Sequence, residues 1–218
     1  MPGPYRLWPA TAGPSSAAAD TTAYTLGTEF YVTTTGLLLY GFWWWCAPGA
    51  DTSPKPCQLF QCINDTAGTA VDAGGTVSEV LTADAWNYAP LPAPVPLTVD
   101  QHYRAGVQGG GAANWYSATA GGFPADVVNG PLVAPATTAA LGGLQGSFVV
   151  GGTIAYPRFS GGGNYWVDVS VSEAAVSVQT GRARAGAPTG PGARSGAGAA
   201  PGASAGLTAT ATARGGTG

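Results

Sequence analysis

Gly161-Gly162-Gly163-Asn164-Tyr165-Trp166-Val167-Asp168-Val169-Ser170-Val171 reads as a β-strand with a fixed entry, a clean alternation and a definite end. Successive side chains of a strand point to opposite faces, so Tyr165, Val167, Val169 and Val171 form one apolar row and Trp166, Asp168 and Ser170 form the other. Three glycines supply the turn before it. After Val171 the pattern dissolves into Gly, Ala and Pro, so this is expected to be the last strand of a globular domain, with everything upstream packed against it.

Working outward, glycine (35) and proline (18) make up nearly a quarter of the 218 residues and only 9% are charged, which disfavours long amphipathic helices with salt-bridged outer faces. An apolar share of 45% with seven tryptophans still calls for a core. Short strands with turn-rich connections satisfy both, which makes the chain all-β. The formal charge of −3 is unevenly spread: residues 1–180 carry all eleven acids, whereas residues 181–218 carry Arg182, Arg184, Arg194, Arg214 and no acid. Such a body and arm favour docking between neighbouring copies, an attraction that salt screens. Four spread arginines are a poor nucleic-acid footprint, and no nucleic-acid partner is expected.

Cys46, Cys57 and Cys62 cannot all pair within one chain, and their spacing, with His102 as the sole histidine, does not make a zinc site. The N-terminus lacks the apolar core of a signal peptide. The longest apolar run, residues 37–47, is too short to span a bilayer, so no membrane insertion is expected.

Residues 1–23 read as an extended arm, because Pro2, Pro4, Pro9 and Pro14 deny helix while Tyr5, Leu7 and Trp8 give it something to bury. Residues 24–172 read as a sandwich domain and 173–218 as a low-complexity arm. The tail's glycines at 186, 190, 192, 196, 198, 202 and 206 exclude the every-third-residue spacing of collagen. Strands are expected at 25–33, 37–46, 58–63, 76–81 and 101–108, with short strands or loop segments at 146–150 and 153–156. Residues 86–97, with proline at alternate positions, suit an edge strand or connector. Residues 114–135 look like a long surface loop. The stretch 37–46 is apolar on both sides, with Leu37, Leu39, Trp43 and Trp45 on one face and Leu38, Tyr40, Phe42, Trp44 and Cys46 on the other. A two-sheet sandwich buries one face only, so the chain's own arm or another subunit must cover the second. A subunit contact there would use Trp8, Leu38, Tyr40, Phe42 and Trp44.

Residues 24–171 resemble the module known as domain of unknown function 4082. The resemblance rests on Tyr24-Thr25-Leu26-Gly27-Thr28-Glu29-Phe30, on Ala85-Trp86-Asn87-Tyr88 with the Pro-Leu run after it, on Asn129-Gly130-Pro131-Leu132-Val133-Ala134-Pro135 and, most specifically, on Asn164-Tyr165-Trp166-Val167-Asp168-Val169. It implies a jelly-roll-like antiparallel β-sandwich, of the kind found in accessory modules of bacterial secreted glycan-active proteins and in short proteins of actinobacterial phage structural gene sets. Tyr5-Arg6-Leu7-Trp8-Pro9-Ala10-Thr11 is similar to the opening of the phage form. The resemblance brings no catalytic residues, and the three cysteines and the long tail depart from its pattern.

Little in the chain suggests turnover. His102 is the only imidazole, no Gly-x-Ser-x-Gly elbow is present, and the Gly-rich runs fail the phosphate-loop patterns. Asp168 reads first as an acid exposed or hydrogen-bonded to a neighbouring loop and second as a calcium ligand, the one metal candidate. Trp115, Tyr116 and Phe123 read first as packing residues and second as a platform for sugar rings. The expectation is a non-enzymatic virion protein without cofactor, a minor tail or head-surface component in contact with other virion proteins and copies of itself. The alternative is a carbohydrate-binding module for host or environmental glycans.

Overall fold

Strands account for most of the residues described by the computed structural model, which are 4–19, 22–71, 75–76, 80–110 and 115–174. In chain order they are β1 (Ser16–Ala19), β2 (Ala23–Val32), β3 (Leu37–Cys46), β4 (Pro56–Cys62), β5 (Gly68–Ala70), β6 (Gly75–Thr76), β7 (Ala85–Pro96), β8 (Tyr103–Gly110), β9 (Trp115–Ala120), β10 (Val127–Asn129), β11 (Leu132–Ala134), β12 (Ser147–Val150), β13 (Phe159–Ser160), β14 (Gly163–Asn164) and β15 (Val167–Glu173). A 3-10 turn at Leu141–Gly143 is the only helical element among the described residues. The chain divides into Met1–Val176 and Ser177–Gly218, and all described residues belong to the first unit. The arm expected at 173–218 lies outside them from residue 175 on.

The fold is an antiparallel β-sandwich. One sheet runs β15-β3-β7, and the other is built on β4-β8-β2. Beyond β2, β12 pairs with its first half and β11 with its end. A small third sheet, β1-β9-β14, shares no strand with these two. Leu26, Phe30, Leu39, Phe42, Trp44, Leu59, Val107 and Val169 belong to one continuous buried core. Each such side chain contributes roughly 1.5–3 kcal/mol relative to an exposed position.

The closing strand is where the sequence places it, but it is shorter. Trp166 takes a left-handed φ of 56°, with its N–H donated 2.8 Å to Asn164 Oδ1, and this turn separates β14 from β15. Val167, Val169 and Val171 are fully buried as expected. Tyr165 leaves their row and packs edge-on against Tyr116, 5.6 Å between ring centroids.

The two-faced reading of β3 needs correction. The register with β7 shifts between Leu39 and Gly41, a bulge that resets the alternation. Leu37 and Leu39, then Phe42, Trp44 and Cys46, are therefore buried, while Leu38, Tyr40, Trp43 and Trp45 are only partly buried. Gly41 is required there, because a Cβ would sit 2.4 Å from the Ala89 carbonyl and 2.7 Å from the Tyr88 ring. Residues 86–97 do form an edge strand, since β7 pairs with β3 alone.

The surface loop expected at 114–135 instead contains β9, β10 and β11. Of the two segments read as short strands or loop, 146–150 holds β12, whereas 153–156 is irregular and tied to β2 by the Ala155 N–H donated to Thr25 Oγ1 at 3.0 Å. β6 opens the strand expected at 76–81, and residues 77–79 of it lie outside the described residues.

Candidate functional site

The N-terminal arm forms a strap across the outer side of the β15-β3-β7 sheet. Tyr5 pairs with Val171, exchanging backbone hydrogen bonds of 2.6 and 3.0 Å. Asp168 is fully buried and its carboxylate collects the strap. Oδ1 accepts from Leu7 N at 2.8 Å and Val169 N at 2.7 Å, and Oδ2 accepts from Arg6 Nε at 3.2 Å and Trp8 N at 3.3 Å. Burial pushes the carboxyl up to about 6, against the downward pull of these N–H groups and the Arg6 charge. The Arg6 guanidinium lies 4.1 Å from the Trp43 ring centroid and 4.6 Å from that of Trp86, a cation held by two indoles. Trp8 packs on Phe123, Trp166 and Trp86 at 5.9, 5.6 and 6.4 Å. Further along, Trp86 Nε1 donates 2.8 Å to Ala12 O, and Gly13 lies against the Trp45 ring.

Several expected sites change meaning here. Both Asp168 oxygens face N–H donors, which is the wrong surrounding for calcium, whose ligands are oxygens. Phe42 and Trp44 are sealed in the core and are unavailable to another subunit. Trp8 is 8% exposed and packs on its own chain. Leu38 and Tyr40 remain partly exposed. Phe123 is 2% exposed beneath Trp8 and cannot stack on a sugar. Tyr116 belongs to a separate cluster with Tyr24, Phe148 and Tyr165, ring centroids 5.6–6.5 Å apart, around a cavity of about 80 Å³. Burial pushes the Tyr165 hydroxyl up to about 12. The Trp115 side chain lies outside the described residues, so the three aromatics are not brought into one platform.

The outer side of the other sheet carries a second polar centre. Glu29 and Arg104, opposite each other on β2 and β8, are both fully buried. Arg104 Nε and Nη2 donate to Glu29 Oε2 at 3.0 and 2.9 Å, and its Nη1 and Nη2 also donate to the carbonyls of Asp65, Pro157 and Leu141 at 2.8, 2.7 and 3.2 Å. Glu29 Oε1 accepts from Leu141 N at 2.9 Å and lies 2.7 Å from His102 Nδ1. The pair thus fixes three loops. Gln145 completes it with its amide, accepting from Glu29 N and donating to Glu29 O, each at 2.8 Å, as a neighbouring strand would. His102 stacks on Tyr31 and lines a depression of about 250 Å³ together with Asp100 and Asp126. Among the described residues no serine, threonine, cysteine or lysine side chain lines it. Nearby, burial pushes the Cys62 thiol up to about 11, which makes it a poor nucleophile. Among the described residues no disulfide joins Cys46, Cys57 and Cys62, and no group of three or more His, Cys, Asp or Glu is placed to hold a metal.

The family model described as Domain of unknown function (DUF4082) matches residues 10–167, more than two-thirds of the chain. The chain belongs to this family. In this DUF4082 chain the matched segment includes Trp43, Trp86 and the Glu29–Arg104 pair, whereas Arg6 and Asp168 fall just outside its two ends. No curated protein matches the chain. Sequence reasoning missed the Glu29–Arg104 pair; the signal was an acid and an arginine inside strands with little other charge. No helix among the described residues is long and apolar enough to cross a membrane.

Proposed function

We propose that this protein is a non-enzymatic structural component of a bacteriophage particle, a minor tail or head-surface protein held by other virion proteins and by copies of itself. The observation that carries this reading is the use made of buried charge. Asp168 ties down the arm and Arg104 ties three loops to one sheet, so both act as cross-links of a shape-holding body. The acid-free segment with four arginines beyond it suits attachment to acidic neighbours. Deletion of residues 181–218 is expected to reduce incorporation of the protein into particles. Incorporation at the normal level, in particles of normal stability, sinks the attachment role.

A second reading, a carbohydrate-binding module, draws on the tyrosine-rich cavity of Tyr24, Tyr116, Phe148 and Tyr165. At about 80 Å³ it lies below the roughly 300 Å³ at which small-molecule sites usually begin, so it would hold the edge of a sugar at most. Glycan-array binding that disappears in Tyr116→Ala, with the near-ultraviolet circular dichroism preserved, favours this reading over the first.

A further inference from the structure

We infer that the strap is exchangeable: the cradle that holds residues 5–12 takes the strap of a second copy, and two copies join by reciprocal exchange. This deepens the contact between copies in the reading above. Its test uses purified protein, so failure here and failure of the particle reading are separable.

Strap and cradle behave as a peptide and its receptor. On the strap side, recognition rests on a few nearby groups: the Tyr5 backbone, the Arg6 guanidinium and carbonyl, the Leu7 and Trp8 amides, the buried Leu7 side chain, the Trp8 ring and the Ala12 carbonyl. The cradle's main groups are Trp43, Trp86, Asn129, Trp166, Asp168 and the Val171 backbone. Two indoles around a cation with a buried carboxylate beside it form a built site for one arginine in an extended segment. Nothing in that recognition depends on which copy supplies the arginine. Exchange repeats every contact and costs mainly the freedom of two bodies, which is why swapping is a low-cost route to dimers.

The connection permits it. Gly13-Pro14-Ser15 joins the strap to β1, with Gly13 and Ser15 exposed and Pro14 partly buried, and three residues span about 10 Å when extended. Pro14 keeps that link open, because its fixed φ and missing N–H resist a tight return. The closed strap is also imperfectly satisfied. Among the described residues Arg6 Nη2, Trp43 Nε1 and Trp45 Nε1 are buried without a hydrogen-bond partner from the protein. Unpaired buried donors penalise the closed state against an open one in which water reaches them.

The test is binding of a fluorescein-labelled peptide of residues 1–14 to the full-length chain, read by fluorescence anisotropy. Slow binding is expected, because the resident strap must leave first. The peptide should bind the Arg6→Ala chain at least ten-fold more tightly than wild type, since the resident competitor is weakened. Added to the Arg6→Ala chain, in which the resident strap competes little, Asp168→Asn should weaken peptide binding at least ten-fold, and an Arg6→Ala peptide should bind the Arg6→Ala chain more weakly by a similar factor. Light scattering on the wild-type chain at rising concentration should show dimers that excess peptide dissolves. Should Arg6→Ala fail to fold, Arg6→Lys makes the same comparison, because lysine keeps the charge but not the planar stack. A peptide that binds neither wild type nor Arg6→Ala, one that binds the Arg6→Ala chain equally well with and without Asp168→Asn, or dimers indifferent to excess peptide overturns the inference.

Discussion

Asp168 stands between two fully buried valines and accepts N–H groups from residues some 160 positions earlier. Its carboxyl is pushed from 3.8 up to about 6, so between those values the folded protein binds more protons at this site than the unfolded chain does. Stability from this group is therefore fully present below about pH 4 and is lost as pH rises through 6. For a shift of two units the loss is about 3 kcal/mol. Asp168→Asn removes that slope. It also places an NH₂ opposite the Trp8 and Arg6 donors, at a cost of about 1–3 kcal/mol. Urea denaturation at pH 4, 5, 6 and 7 should show the variant's deficit shrinking as pH rises, and a constant deficit would contradict the assignment. Arg104 makes the opposite kind of case. Arg104→Met strips the buried Glu29 carboxylate of its bidentate partner and leaves it with His102 and the Leu141 N–H, so a loss of about 3–5 kcal/mol is expected in the same measurement. Asp168 could be singled out from its apolar neighbours in the sequence. Its partners could not, because hydrogen bonds across 160 residues leave no local spacing to read.

At the scale of the element, β3 decides how the sandwich is filled. Its bulge at Gly41 turns a run that reads as apolar on both sides into one buried face ending in Trp44 and Cys46 and one face bearing Trp43 and Trp45 for the strap. Gly41→Ala puts a methyl group 2.4 Å from the Ala89 carbonyl, which must move or break the pairing of β3 with β7. Overpacking of this kind costs about 1–3 kcal/mol. Chemical denaturation of the variant should show it, and an unchanged midpoint would mean that the bulge tolerates a side chain. Strict alternation could not reveal the bulge, because a stretch of Leu, Phe and Trp looks apolar in either register. β7 was legible for the contrary reason: Pro90, Pro92, Pro94 and Pro96 cannot donate to a second ladder, so only an edge position suits them. β9 to β11 escaped notice because Ser, Ala, Gly and Pro dominate their surroundings, and their pairing is set by β1, β14 and β2 rather than by apolar rows of their own.

For the whole molecule, the strap changes what partners are needed for. The sequence suggests more apolar surface than one sandwich can hide, with the arm or a subunit as the cover; within one chain the arm supplies it through Arg6, Leu7 and Trp8. For contacts with other molecules the proposals then leave exchange of the strap and the arginine-bearing segment, while Val128, Val150 and Phe159 stay 61%, 58% and 49% exposed. The balance turns on Trp8, whose ring meets Trp86, Phe123 and Trp166 at once. Trp8→Ala removes the apolar anchor while leaving the Asp168 hydrogen bonds to the backbone in place, and large aromatic truncations of this kind cost about 3–5 kcal/mol. Because the sandwich core lies on the other side of β3, the loss should appear first as opening of the strap. Acrylamide should quench tryptophan fluorescence more strongly in the variant, at temperatures where its far-ultraviolet circular dichroism still matches wild type. If quenching and β-structure change together, the strap is an inseparable part of the core and cannot be traded between copies.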